Sequence, residues 1–441
     1  MKFKTLCLAI VMSVSLVTQS FAFSDILGTE WYASYVQSLN NRNIINGYED
    51  GTFRAENSIT NGEVLKIAIS SMGEEPFETK EHEHWAIGYL DRALILGINI
   101  DPTIDLDENA TRYFVAEMMI EILKVNTINI VSPFVDIDSD IVNTLYELGI
   151  VTGSIDQGSR FFYPDDEITR AEVSALVVRT MEIYDKHIAY REYEHPQTEY
   201  VEVPTTVEEY KNALLQLVIN DVSERVVYYD DINFYDMRDE YKYHENAALA
   251  FYEVFDEYPE YFTFANQLSA PMGGTVSNSD LTLTLSSSYF DNATISTMKE
   301  DFFDEVADIW HVLRLNGSIV EQMNERQKAE VIFEWVVVNN SYDLNYQPVS
   351  YTAYGITENN TAVCQGYVAL FNSLCKMEGI EVWGISGVAN GGEHIWSVAV
   401  LEGEECFVDP TFADPVPNKV GFCDFSFFDV SEMQLRTTHD F

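Results

Sequence analysis

Three copies of one pattern fill the first part of the chain, and nothing else in the sequence constrains the fold as strongly. In each copy a helical stretch leads to a glycine turn, an acidic loop and a threonine that opens a second helical stretch. The threonines are Thr60, Thr111 and Thr169, at steps of 51 and 58 residues. A threonine at a helix start accepts a hydrogen bond from a backbone N–H that otherwise has no partner. Glu63 and Glu172 follow three residues after Thr60 and Thr169, the spacing of a reciprocal capping box. Units of this kind cannot bury an apolar face alone, so they fold by stacking on their neighbours. The spacing predicts three all-α repeat units, at 23–73, 80–125 and 132–185.

The first unit contains FSDI, INGYEDGTF and ITNGE, and the third contains FVDI, VTGS and ITRAE. These segments resemble surface-layer homology (SLH) repeats; the middle unit matches less well. The resemblance implies a three-pronged helical bundle whose grooves bind pyruvylated polysaccharide of a Gram-positive cell wall. It also implies that the arginine of the TRAE signature helps to hold the anionic sugar. Arg170 matches that position, and so does Arg112. Asn61 replaces the arginine in the first unit, and Phe114 replaces the glutamate in the second, so not every groove need bind. Trp31, Gly47 and Gly153 are the other groove residues implied. The alternative is a helical stalk with no ligand.

Ahead of the repeats, Met1 to Lys4 is basic, Leu6 to Val17 is apolar, and Ser20-Phe21-Ala22 offers small residues to a signal peptidase. This reads as a secretory signal peptide over residues 1–22. Its apolar run is too short to span a membrane. The net charge of −47 argues against nucleic acid and anionic membranes as partners. Cys7 leaves with the leader, and four cysteines in so long an exported chain do not make a disulfide scaffold. Cys375 lies three helical turns from Cys364, too far to bridge to it. Cys406 and Cys423 could pair.

Residues 186–206 are polar, lack periodicity and contain Pro196 and Pro204, the signature of a partly extended linker. From 207 to 319 the pattern is mixed, with three helical stretches and an alternating strand at DLTLTLSSSYF, and it contains no catalytic constellation. This accessory α/β region is expected to pack on the last domain, 320–441, and shape access to it.

In that last domain Cys364 opens a helical pattern in which Tyr367, Leu370, Phe371 and Leu374 share one face and Gly379 closes the helix. A thiol at a helix N-terminus sits at the positive end of the macrodipole, which favours the nucleophilic thiolate. Two apolar runs, HIWSVAV and CFVDP, are joined by LEGEE and read as a β-hairpin. With a two-residue loop at Glu402-Gly403, Asp409 falls opposite Trp396, and His394 lies two residues along the same face, a diagonal neighbour. A three-residue loop would break that parity. The segments AVCQGY, GGEHIWSV and FVDPTFADP resemble the transglutaminase-like (papain-fold) superfamily of cysteine enzymes. Phe412 stands where a tryptophan is expected.

The resemblance implies an α+β domain with an antiparallel sheet, an N-terminal catalytic helix and a triad of Cys364, His394 and Asp409. Residues 324–346, a helix expected to end near Asn340 followed by SYD at Ser341–Asp343, resemble its first helix, and 350–362 are expected to be a loop delivering Cys364. Backbone N–H groups at the Cys364 helix start, joined by Tyr342 or Tyr354, would form an oxyanion hole. The activity implied is acyl transfer on peptide or amide bonds, either hydrolytic or cross-linking. A binding module that kept the fold is the alternative. No metal or cofactor is expected: the three residues lack zinc-ligand spacing, and no glycine-rich phosphate loop follows a strand.

Overall fold

The computed structural model describes residues 23–441 except 187, 223, 230–236, 265, 270–271, 276–277 and 420. The expected leader, 1–22, lies outside the described residues. The N-terminal part is helical: α1 (Ala33–Asn41), α2 (Asn61–Ser71), α3 (Ile87–Ile95), α4 (Arg112–Leu123), α5 (Asp140–Glu147) and α6 (Arg170–Tyr184). A small hairpin, β1 (Ser154–Asp156) and β2 (Ser159–Phe161), precedes α6.

The chain divides into two compact units, residues up to 122 with 165–181, and residues 123–164 with 182–441. The division runs through the third sequence repeat. In the first unit the segments before α2, α4 and α6 close a ring of backbone hydrogen bonds. Ile59 N donates to Ile168 O, Ile168 N to Ala110 O, and Ala110 N to Ile59 O, at 3.2, 3.0 and 2.8 Å. A second ring donates the opposite way round, with Arg170 N to Asn57 O, Asn61 N to Glu108 O and Arg112 N to Asp166 O. Each threonine cap thus sits in an equivalent setting. Thr60 accepts from Glu63 N at 3.3 Å, and Glu63 accepts from Thr60 N at 3.1 Å. Thr169 and Glu172 repeat the exchange, while Thr111 accepts from Phe114 N with no carboxylate to answer.

The second unit opens with α5 and the β1–β2 hairpin. Asp136 accepts Phe162 N and Tyr163 N there, as Asp25 accepts Phe53 N and Arg54 N in the first unit. The described residues of 186–206 form no regular element, but they are tied down rather than free. Tyr193 is buried against Phe303, its hydroxyl donates to Glu260, and Arg191 donates to Met377 O. There follow α7 (Val207–Ile219), α8 (Met237–Glu257), α9 (Pro259–Phe262) and α10 (Asn292–Leu315). The sheet among them consists of β3 (Glu224–Tyr229), β4 (Gln267–Ser269), β5 (Met272–Thr275) and β6 (Asn278–Ser286), with β6 pairing antiparallel to each of the others.

The C-terminal part begins with α11 (Glu325–Val338), capped reciprocally by Asn324 and Gln327. Next come β7 (Ser341–Tyr342), α12 (Ala353–Asn359), β8 (Thr361–Ala362) and α13 (Cys364–Met377). The stretch expected as a loop before Cys364 is therefore largely helical: Thr352 caps α12, and Asn360 ends it in the left-handed conformation. Helix α13 is buried on nearly every face, with only Gln365 and Lys376 partly open. It packs on a four-stranded antiparallel sheet ordered β11-β10-β9-β12: β9 (Val382–Ala389), β10 (Gly392–Leu401), β11 (Glu404–Val408) and β12 (His439–Asp440). A short helix, α14 (Pro410–Ala413), follows β11. The chain is multidomain, helical at the N-terminal end and α+β with antiparallel sheets at the C-terminal end. Among the described residues, no helix is long and apolar enough to cross a membrane.

Candidate active site

Cys364 is the first residue of α13. Val363, the N-cap, is extended, and its side chain makes no cap hydrogen bond to the first turn beside the thiol. Cys364 is 8% exposed and packs against Val368 and Ile395, with Phe255 of α8 at its edge. Its Sγ lies 3.4 Å from Gln365 Oε1.

The hairpin has the two-residue loop on which the parity argument depends. Leu401 pairs with Glu404, and Glu402 and Gly403 both adopt positive φ, at 56° and 82°. Two such residues make the tight turn whose twist suits a hairpin. The register runs back to Ser397 opposite Val408, which brings the side chains of His394 and Asp409 together. His394 Nε2 and Asp409 Oδ2 are 2.8 Å apart. The imidazole faces Phe412 on α14, with ring centroids 4.8 Å apart.

Asp409 is fully buried and fully satisfied. Oδ1 accepts Thr411 N and Phe412 N, each at 3.0 Å. Oδ2 accepts from His394 and also lies 2.9 Å from Nε2 of His439 on β12. Burial alone would push the Asp409 carboxyl up, but hydrogen bonds from the two histidines and the backbone bring it below its ordinary value. Burial would likewise lower His394. Its hydrogen bonds to Asp409 and Cys364 outweigh that and push the imidazole up to about 10. The ring is therefore held toward its protonated form, beside the Cys364 sulfur.

His394, Asp409 and His439 also form a close-set trio of groups able to ligate a metal. Their geometry is that of a hydrogen-bonded cluster: both histidine nitrogens point at one oxygen at donor–acceptor distance, and the other oxygen is already taken by backbone. A cation here would have to displace both histidine bonds.

A cleft of about 520 Å³ runs past Cys364 and His394, walled by Phe251, Tyr252 and Phe255 of α8 and by Val388 and Glu393 across the sheet. The accessory region thus lines access to the thiol. Of the two tyrosines left open as oxyanion donors, Tyr342 lies in the field of Cys364. Burial first, then the nearby thiol, pushes its hydroxyl up. Tyr354 feels Glu358 and Asp301 instead. Cys406 and Cys423 are unpaired in the structure.

The residues expected to bind polysaccharide are not all together. In the first unit Arg170 and Gly47 share a cavity of about 310 Å³ with Tyr48, Glu63, Lys66 and Trp85. Arg170 is 8% exposed and donates to Phe53 O, Asn46 O and Glu63, the last at 3.2 Å. Arg112 pairs with Glu172 at 2.6 Å. Each arginine thus meets the glutamate of the next unit around the ring. The third place in that cycle belongs to Asn61 and Phe114, so the two odd residues stand at one interface. Losing both charges there leaves no buried charge unpaired. Trp31 is 59% exposed and does not line the Arg170 cavity. Gly153 belongs to the other unit, where a side chain would collide with Phe134 and Phe161 O. Trp85 and Lys66 escaped the sequence reading. The HWAIGY segment holding Trp85 repeats the WYASYV context of Trp31 and could have revealed it.

Comparison with known proteins places families on these segments. The model described as "S-layer homology domain" matches residues 22–65 and 135–174, and that of the "Transglutaminase-like superfamily" matches 314–410. No curated protein matches the chain. Among solved structures, a TGase crystal structure is 17% identical, with TM-score 0.23, covering 32% of this chain and 44% of that one. A structure from Cytophaga hutchinsonii, provisionally named a cysteine protease, is 14% identical with TM-score 0.23, covering 36% of this chain and 68% of its own. The chain spans less than half of the first of these. It carries S-layer homology segments at its N-terminal end and a domain of the transglutaminase-like superfamily at its C-terminal end.

Proposed function

We propose that the protein is a secreted cysteine enzyme held at the cell surface by SLH repeats and acting on peptide or amide bonds by acyl transfer. The observation that carries this reading is the uncapped helix start at Cys364, facing a histidine bonded to a buried aspartate, in one cleft. Sγ attacks the carbonyl carbon; the C–S bond forms as the C–N bond breaks, and His394 gives its proton to the leaving amine. Water or a second amine then attacks the thioester, His394 takes its proton, and the thiol is restored. Helix-start N–H groups and the Tyr342 hydroxyl stabilise the oxyanion. The aromatic wall of α8 and the carboxylate of Glu393 suit an apolar side chain beside the reacting amide and a cationic group near the mouth.

The full chain, incubated with peptides of that type and a primary-amine probe, should yield new N-termini or amine adducts, and Cys364→Ala should yield neither. Equal product from both proteins would sink the enzyme reading in favour of a surface scaffold.

In the N-terminal domain three SLH repeats form the bundle, and the cavity at Arg170 takes the anionic polysaccharide. Lys66 lines that cavity without being fully buried, so Lys66→Gln should leave the fold intact and weaken sedimentation with purified polymer-bearing walls about tenfold, the worth of one charge-assisted contact. Unchanged sedimentation would remove the cavity from the anchoring account.

A further inference from the structure

His439 has no part in the reaction as written, yet it is placed with care. It is almost fully buried, and its Nε2 bonds the same carboxylate oxygen that serves His394. Its Nδ1 lies 2.8 Å from the Thr438 hydroxyl, and its ring meets Trp396 edge-on at 4.7 Å. The strand that brings it is seated by specific contacts. His439 pairs with Ala389 and Asp440 with Val388 at the edge of β9. Gly387 allows the approach, since a Cβ there would stand 2.6 Å from Asp440 O. Phe441 then packs on Trp396 and Phe407, under the guanidinium of Arg436.

We propose that His439 is a positioning residue for the triad, its N–H holding Asp409 Oδ2 in the orientation that serves His394. This rests on the acyl-transfer reading above. A residue needed only for packing would not require a donor aimed at a carboxylate that already holds a histidine, and phenylalanine would fill the space. With two donors on each oxygen, Asp409 cannot rotate, so the imidazole it orients stays directed at Cys364. The second donor also stabilises the ionised carboxylate. The groups facing Asp409 are His394 from β10 and His439 from β12, with Cys364 of α13 beyond His394. Removing His439 therefore makes Asp409 easier to protonate and moves the acid limb of thiol reactivity to higher pH.

The test uses the full chain and iodoacetamide, following Cys364 alkylation by mass spectrometry from pH 4 to 10. His439→Phe keeps the ring and loses the donor. It should slow alkylation near neutral pH about tenfold, at the lower end of what supporting partners of a functional histidine cost in metal sites, and shift the acid limb upward. His439→Gln offers an N–H again and should recover most of the rate and the original limb. If His439→Phe does not fold, Thr438→Val, which removes the partner of Nδ1, should shift the limb in the same direction. A wild-type profile in His439→Phe, or in Thr438→Val where it must stand in, overturns the proposal, and the triad stands if His394→Ala is slowed beside it. A wild-type profile in His394→Ala overturns the triad and this proposal with it.

Discussion

His394→Ala should lower turnover by about two to four powers of ten, the usual worth of a positioned general base. It should also change the pH dependence of the thiol. In the native chain, burial of His394 is outweighed by its bonds to Asp409 and Cys364, and the imidazole is pushed up to about 10. An imidazolium therefore persists beside Cys364 through neutral pH and is lost only in strong alkali. In the variant no cation stands beside the sulfur, so its reactivity should rise steadily through the ordinary range of thiol ionisation. Stopped turnover assays and alkylation rates across pH 5 to 10 check both parts. A variant that keeps a plateau near neutrality would separate His394 from the thiol.

Asp409→Ala should cost stability as well as rate. It leaves two buried histidine N–H groups and two backbone N–H groups without their acceptor. Loss of an orienting carboxylate has cost about four powers of ten in turnover elsewhere, and breaking a buried ion pair costs about 3–5 kcal/mol. Urea denaturation should show that loss, and it should depend on pH. Burial raises the Asp409 carboxyl, but its hydrogen bonds hold it below its ordinary 3.8, so its contribution is present above that value and fades as pH falls through the lowered one. His394, raised from 6.5, contributes fully below 6.5 and less as pH climbs toward about 10. The gap in stability between wild type and variant should therefore be widest from about pH 4 to pH 6.5 and narrow on either side. A gap independent of pH would mean that the carboxylate and imidazole are not coupled in the folded chain.

Much of the local structure could be read from the sequence because it depends on short-range rules. The threonine caps and their glutamates are set by spacing within one helical turn. The hairpin register follows from a two-residue loop and the period of two along a strand, which is why His394 and Asp409 could be set on one face. What escaped was long-range. His439 lies thirty residues beyond Asp409 in an unremarkable stretch, and only the pairing of β12 on β9 brings it to the carboxylate. Residues 350–362 contain glycine and asparagines and look like a loop, yet Thr352 caps a two-turn helix there and tertiary packing decides the matter. Residues 186–206 have linker composition, but Arg191 and Tyr193 anchor them to buried partners. The odd residues Asn61 and Phe114 made sense only once the cyclic order of the rings was known.

The relative rates at which the four cysteines of the described residues react with iodoacetamide test the central claim most directly. Exposure alone favours Cys423, which is partly open, over Cys364 at 8%. Activation predicts the reverse. Burial pushes Cys423 up to about 12 and Cys406 up to about 11, and lifts the fully buried Cys375 well above its ordinary range. Cys364 should be labelled first from pH 5 to 8, and in His394→Ala that lead should vanish. Labelling in the order of exposure, with Cys423 ahead of Cys364 in the wild-type chain, would contradict an activated nucleophile at the head of α13.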